Sequence, residues 1–303
     1  MKKTDVVRSP FFYVGDKYKL LPQILPLFPE KINRFFEVFV GGGSVFLNTN
    51  VADVHINDID SNIVEIHRYL ILNNKDGDKF LAEINKKIDK YGLTNSSTGY
   101  VVDKKIKETH PKTYFSKINR ESYDALKLKY NSSKNRSVSD LYLLMIFGFN
   151  RMLRFNRKGD FNIPVGNVDF NSNVVKALLG YFEKTKNRNI TVSNLHYEDF
   201  LKSSKFVKDD FVYLDPPYLI TGSEYNKLWN EKDDENLYRI LDELDKKGVK
   251  FALSNVIAYG DKHNVILEKW SGKYNTHIIS SNYINYFDNG KKHIQEVLVT
   301  NYV

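Results

Sequence analysis

Between Asn33 and Asn74 two strand–turn–helix patterns follow one another directly, and no other feature restricts the fold as much. "FFEVF" is a short apolar, β-prone run, Gly41, Gly42 and Gly43 form a turn after it, and "SVFLN" resumes as a helix start with Ser44 near its N-cap. "VHINDID" then ends a second strand at Asn57 and Asp58, and "SNIVEIHRYLILNN" carries apolar residues at helical spacing. Parallel strands need a long crossover, and a helix is the usual one, so two such units predict a parallel, doubly wound α/β sheet.

From about Asn73 to Asn189 the alternation stops. Helices are expected near Lys79–Lys90, Asn119–Tyr130 and Ser137–Phe149, and "FNRKGDFNIP" reads as a β-hairpin with "RKGD" at its turn. Strands return with "NITVSN", "DFVYLD", "KFALSN", "NTHIIS" and "QEVLVTN", and "DDENLYRILDELDKKG" is an amphipathic helix among them. The expected architecture is therefore a Rossmann-like α/β sheet built from residues 1–72 and 190–303, interrupted by a mostly helical insert at 73–189 that carries the hairpin.

Charge separates the two parts. The chain's formal net charge is +8, and the segment from Val102 to Asp160 holds fourteen Lys/Arg against six Asp/Glu, so it matches the whole excess by itself. A basic insert on a balanced remainder suggests contact with a polyanion, whose condensed counterions Lys and Arg displace. There is no cysteine, which excludes disulfides, zinc-thiolate sites and cysteine nucleophiles. No apolar run approaches the ~18 residues of a membrane span, and "MKKTDVVRSPFF" lacks a signal peptide's apolar stretch, so a cytoplasmic protein is expected. Seven scattered His offer no H-x-x-x-H spacing, and no metal is expected.

Ligands of open α/β sheets bind where strands end, so the residues just after each apolar run carry the chemistry. The glycine turn lets a ligand approach the backbone, although such turns are also common as plain structure, and no Gly-Lys-Ser/Thr follows to make a phosphate-binding loop. Asp58 can accept hydrogen bonds from both hydroxyls of a ribose, whereas Asp60 or Ser61 is the better helix cap, which leaves Asp58 without an obvious structural duty.

The third strand end is "YLDPPY", residues 213–218. Pro-Pro could simply stop a strand. The residues also suit a specific task. The exocyclic amino group of adenine is a poor nucleophile, because its lone pair is delocalised into the ring. If the Asp215 carboxylate and the Pro216 carbonyl each accept one amino hydrogen, the nitrogen is drawn toward tetrahedral geometry and its lone pair is freed. Pro216 and Pro217 hold that carbonyl rigidly, and Tyr218 offers a ring face to an extruded base.

Together these motifs resemble the Dam-type DNA adenine methyltransferases over nearly the whole chain. "SPFFYVGDKYKLLPQIL" is similar to the family's opening, with Tyr13 and Asp16 in place of its usual Trp and second Gly and with Lys17 at the motif lysine. "FFEVFVGGGSVFLN" resembles its glycine motif, with Val38 in place of a proline, while "INDID", "LDPPY" and "LSN" stand almost as the family has them. The resemblance implies S-adenosylmethionine as cofactor and double-stranded DNA as partner. It implies cofactor contacts at Tyr13, Lys17, Glu37, Phe39, Gly41, Gly43, Asp58 and Asp215, and at Asp199 and Phe200 of "HYEDF", read as a further strand end. "FNRMLRFNRKGDFNIPVG" resembles its DNA-reading hairpin and implies DNA contacts at Asn150, Arg151, Arg154, Asn156, Arg157, Lys158, Asn162, Pro164 and Asn167. GATC-methylating members carry a guanine-reading arginine where Asn167 stands, and Asn pairs more naturally with adenine, so a GATC target is not carried over.

The reading is thus a site-specific adenine methyltransferase, with a restriction endonuclease as a possible separate companion. Alternatives are an amino-methyltransferase acting on cytosine or RNA, a DNA-binding protein without catalysis and, more distantly, an NAD-dependent oxidoreductase. "NYINYFDNGKKHIQE" reads as a polar loop that either touches DNA or only connects strands.

Overall fold

Successive residues of the central strands are buried on opposite faces of one sheet. Phe35, Phe211 and Tyr213 belong to one apolar cluster, and Phe36, Val212 and Leu214 to a second. Burial on both faces is what a parallel sheet covered by helices requires. The computed structural model describes residues 6–13, 15–221, 229–280 and 294–303. Among these the strands are β1 (Arg34–Glu37), β2 (Asp53–Asn57), β3 (Asn189–Ser193), β4 (Phe211–Leu214), β5 (Lys250–Tyr259), β6 (Lys262–His263), β7 (Asn275–Ile279) and β8 (Ile294–Thr300). The order across the sheet is β3-β2-β1-β4-β5-β8-β7, with the short β6 paired to β5. The pairs from β3 through β5 are parallel, and β8 runs antiparallel to both β5 and β7.

The chain leaves β1 toward β2 and β3 on one side and later leaves β4 toward β5 on the other. The direction of winding therefore reverses between β1 and β4, and a crevice opens there at their carboxyl ends. The helices Tyr197–Ser203, Glu231–Lys246 and Val265–Ser271 contribute to the cluster on one face of the sheet. The opposite face is covered by Ser44–Leu47, Ser61–Leu72 and the helices of the insert.

The three helices expected in the insert are present as Gly77–Tyr91, Tyr114–Ser132 and Val138–Phe147, and two more, Lys104–Thr109 and Ser172–Thr185, were not anticipated. Val138–Phe147 is buried at every residue from Ser139 on, so it has no polar stripe. One apolar cluster runs from Phe35 and Val54 of the sheet through Ile63 to Leu144 and Phe161 of the insert. The insert and the sheet thus share a core; the division expected at 189/190 falls inside β3.

Two local expectations gain detail. Ser44 is the first helical residue, and the N-cap is Gly43 at φ 76°, a backbone that would bring a Cβ within 2.4 Å of Phe46. The hairpin is two isolated antiparallel bridges, Gly148↔Val165 and Phe155↔Phe161, rather than a regular ladder. Its turn is tied by Asn156, whose Oδ1 accepts from the backbone N–H of Lys158 and Asp160, both at 2.9 Å.

Candidate active site

Asp215 follows directly on β4, and the pairing of Tyr213 with Glu37 sets it beside Phe39 at the winding reversal. Lys17 reaches it from far away in sequence. Asp16 accepts from the Tyr18 N–H and so caps a short 3-10 turn, Lys17–Lys19, which aims the lysine inward. Lys17 Nζ lies 2.7 Å from Asp215 Oδ2 and 3.7 Å from Glu296 Oε1, and Lys17 is only 4% exposed. A buried ammonium is tolerated only with such partners.

Tyr218 completes the group. Its hydroxyl donates to Asp215 Oδ1 at 2.7 Å and lies 3.4 Å from Glu296 Oε1, with Lys17 Nζ 5.1 Å from its ring centre. Burial and the neighbouring Asp215 carboxylate hold its ionisation well above the usual tyrosine range, so the hydroxyl keeps its proton. Glu296 lies within β8 and is 1% exposed; burial raises its pKa, against the pull of Lys17. Sequence reasoning missed this residue. The available signal was a single acid inside the apolar run "IQEVLVT" of a central strand.

The glycine turn borders the same crevice. Tyr13 packs over it: a Cβ on Gly41 would touch the tyrosine ring at 3.5 Å, and one on Gly42 would meet its Cβ at 2.9 Å. Asp58 has a structural duty that its sequence context did not reveal, since Oδ2 accepts from Gly41 N–H and Oδ1 from Asp60 N–H, both at 2.9 Å. Desolvation raises its pKa to about 6, opposed by those N–H donors. Asp60 caps the helix Ser61–Leu72, as expected. Glu37 lies beneath the turn, buried, and accepts from Phe46 N–H at 2.9 Å; burial places its pKa well above the usual carboxylate range. A second unanticipated support is His67. Its Nε2 is 2.9 Å from the Gly41 carbonyl and its Nδ1 2.9 Å from Tyr181 Oη, and burial lowers its pKa to about 4, so it is a neutral strut at pH 7.

Asp199 and Phe200 are not at a strand end. Both lie on the helix Tyr197–Ser203, Asp199 exposed in its first turn and Phe200 buried against the Phe36 side of the core. Phe39 is half-buried and packs on Tyr197 and Trp229, with ring centres 5.7 and 5.8 Å apart.

The hairpin residues divide into exposed and engaged. Arg157 and Lys158 are exposed at the tip, while Arg154 is exposed and donates from Nε to Asn162 Oδ1 at 2.9 Å. The Pro164 carbonyl accepts from Phe149 N–H at 2.8 Å, and Asn156 is occupied by its turn. Asn150 and Arg151 both have φ 53°; the Arg151 guanidinium lies 3.8 Å from the centre of the Phe12 ring, and burial lowers its pKa to about 10. Asn167 Oδ1 accepts from Phe115 N–H at 2.9 Å and Ser116 N–H at 3.3 Å. It thereby caps the helix Tyr114–Ser132, whose own N-cap residue Thr113 makes no side-chain bond. A bidentate pairing of Asn167 with adenine would have to break that cap. The segments 222–228 and 281–293, and with the latter the polar loop of "NYINYFDNGKKHIQE", lie outside the described residues.

Among the described residues no helix is long and apolar enough to cross a membrane. Residues 13–287 match the family model for D12 class N6 adenine-specific DNA methyltransferases. The chain is 36% identical to the StsI modification methylase of Streptococcus sanguinis over 98% of its own length and 43% of the relative's. It is likewise 36% identical to the type II methyltransferase M.FokI of Planomicrobium okeanokoites, over 99% and 44%. It therefore spans less than half the length of these two relatives. The type II methyltransferase M1.LlaDCHI of Lactococcus lactis subsp. cremoris is 30% identical, with 100% of this chain and 98% of the relative covered.

Proposed function

Because the chain belongs to the D12 class of N6 adenine-specific DNA methyltransferases, we propose that it methylates the 6-amino group of adenine in double-stranded DNA, using S-adenosylmethionine and a base turned out of the duplex. The observation that carries this reading is Asp215 at the winding reversal, held between Lys17 and Tyr218 and bordered by the glycine turn and Asp58.

The crevice suits the donor on its own chemistry. Asp58 uses one lone pair on each oxygen for backbone N–H groups and keeps two others to accept ribose hydroxyls. Gly41 and Gly43, at φ 45° and 76°, carry no Cβ that would fill the turn. Tyr13, Glu37, Phe39 and the face bearing Asp199 and Phe200 complete this half of the crevice in our reading. S-adenosylmethionine, when bound, supplies a methyl group on a sulfonium that is already an activated leaving group. Asp215 and the Pro216 carbonyl each accept one hydrogen of the target amine and free its lone pair, and Pro217 limits movement of that corner. Tyr218 stacks on the base, and Lys17 orients the Asp215 carboxylate.

We assign DNA binding to the insert at 73–189, and to Asn150, Arg151, Arg154, Asn156, Arg157, Lys158, Asn162, Pro164 and Asn167 in particular. Its support is the clustered positive charge and the exposed Arg154, Arg157 and Lys158. The names of the relatives, modification methylases and type II methyltransferases, support a role beside a separate restriction endonuclease. Long-read sequencing of DNA from cells expressing the chain tests the reading. The expected result is N6-methyladenine in one recurring sequence context, and modified cytosine, or no modification with a folded protein, overturns it.

A further inference from the structure

Glu296 has no part in the reading above, yet it closes the polar group around Asp215. Both Asp215 oxygens are occupied, Oδ2 by Lys17 at 2.7 Å and Oδ1 by the Tyr218 hydroxyl at 2.7 Å. A target amine that hydrogen-bonds to this carboxylate in the manner proposed competes first with the hydroxyl. A displaced hydroxyl left unbonded in a buried site is costly, so it needs another acceptor. One stands beside it: Glu296 Oε1 is 3.4 Å from the same Tyr218 oxygen, too long for a strong hydrogen bond and close enough to become one with a small rotation of the ring.

The state of Glu296 fits that part. Its side chain is 1% exposed, and Oε2 is buried with no hydrogen-bond partner among the described residues. Buried carboxyl oxygens are rarely left so, and the cost is tolerated where a polar group arrives during function. Its place on β8, between β5 and β7 in the sheet, fixes the backbone, so the carboxylate does not follow the motions of the Asp-Pro-Pro-Tyr corner.

We propose that Glu296 is a positioning residue that receives the Tyr218 hydroxyl when the target amine takes its place on Asp215. Tyr218 is thus a two-position latch: its O–H covers Asp215 Oδ1 in the resting chain and turns to Glu296 when a base enters, while its ring remains the stacking face. No covalent step is involved, and the hydroxyl keeps its proton throughout. The inference rests on the methyltransferase reading.

The test is a double-mutant cycle with Tyr218→Phe and Glu296→Gln. It measures transfer of labelled methyl from S-adenosylmethionine to genomic DNA from a host without adenine methylation. If the wild-type chain labels no adenine, the methyltransferase reading fails; the latch is judged on the cycle. In the latch, Glu296→Gln lowers kcat about tenfold with little change in KM for DNA or in donor affinity by calorimetry, because an amide stands where the receiving carboxyl group was. In the Tyr218→Phe background, with no hydroxyl to receive, the same substitution changes kcat by less than about twofold. Equal fold losses in the two backgrounds, or full activity in Glu296→Gln, overturn the proposal. A merely structural role would lower the melting temperature and kcat alike in both backgrounds. Should Glu296→Gln not fold, Glu296→Asp, which withdraws the carboxylate by one methylene, is tested against the same expectation.

Discussion

The crevice around Asp215 and the hairpin around Arg157 place functional side chains in opposite ways. In the crevice several groups are held by partners distant in sequence: Lys17 by Asp215 and Glu296, Gly41 by Asp58 and His67. In the hairpin the bonds of Arg154, Asn156 and Asn162 are all made within the hairpin itself, and Arg157 and Lys158 project into solvent. The difference fits the two tasks proposed for them. Orienting one amine demands fixed groups in a site with little water, where electrostatic contacts are strong. Meeting a duplex of variable shape tolerates long side chains that lose entropy only on binding.

The contrast predicts catalytic losses without binding losses in the crevice, and the reverse in the hairpin. The largest effect is expected for Asp215→Ala, with methyl transfer falling about 10³-fold while DNA affinity, measured by fluorescence anisotropy, changes little. Retained turnover would remove Asp215 from the chemistry. Lys17→Met leaves Asp215 without its cation; about 100-fold in kcat is the expected loss, with a lower melting temperature because one partner of a buried pair is gone.

A titration probes the donor side of the crevice. The pKa of Asp58 is raised to about 6, and only its ionised form can accept from two hydroxyls. Donor affinity by calorimetry should therefore weaken as pH falls through 6, approaching about tenfold per pH unit below it. Stability responds with the opposite sign. Between the unfolded value of 3.8 and about 6 the folded chain binds more protons than the unfolded one, so this residue's contribution to stability rises as pH falls across that window. A donor affinity flat between pH 7 and 5 would separate Asp58 from the ligand. For the hairpin, Arg157→Ala should weaken DNA binding about threefold to fivefold at moderate salt and reduce the salt slope by about one, with kcat at saturating DNA unchanged.

Legibility in the sequence follows the same divide. The sheet and its winding were readable from short apolar runs separated by turns and helical segments; Asp215 was readable from its strand-end motif, whereas Lys17 was readable only through a motif resemblance, since nothing local says that residues so far apart will meet at 2.7 Å. Glu296 and His67 were missed because their roles arise from tertiary neighbours: a buried acid and a buried imidazole look like isolated polar residues until the sheet and the helix Ser61–Leu72 bring them to Tyr218 and Gly41. The expectation for Asp199 and Phe200 misjudged where β3 ends, because "NITVSNLHYEDF" passes from strand to helix with no Gly or Pro between them.

The smallest effect concerns the residue that belongs to both regimes. Asn167 sits at the foot of the hairpin, where a base contact is expected, yet its Oδ1 is bonded to the N–H groups of Phe115 and Ser116. Asn167→Ala removes the cap and should cost about 1 kcal/mol of stability, a shift of a few degrees or less in melting temperature for a chain of this size. Asn167→Asp keeps the acceptor and adds a negative charge at a helix N-terminus, so stability is expected to be unchanged or slightly higher. The two variants then part in DNA reading. If Nδ2 donates to a base, Asn167→Asp loses that donor and changes the methylated context while the fold is intact; an unchanged context would make Asn167 purely a cap and return sequence reading to Arg154 and the exposed tip.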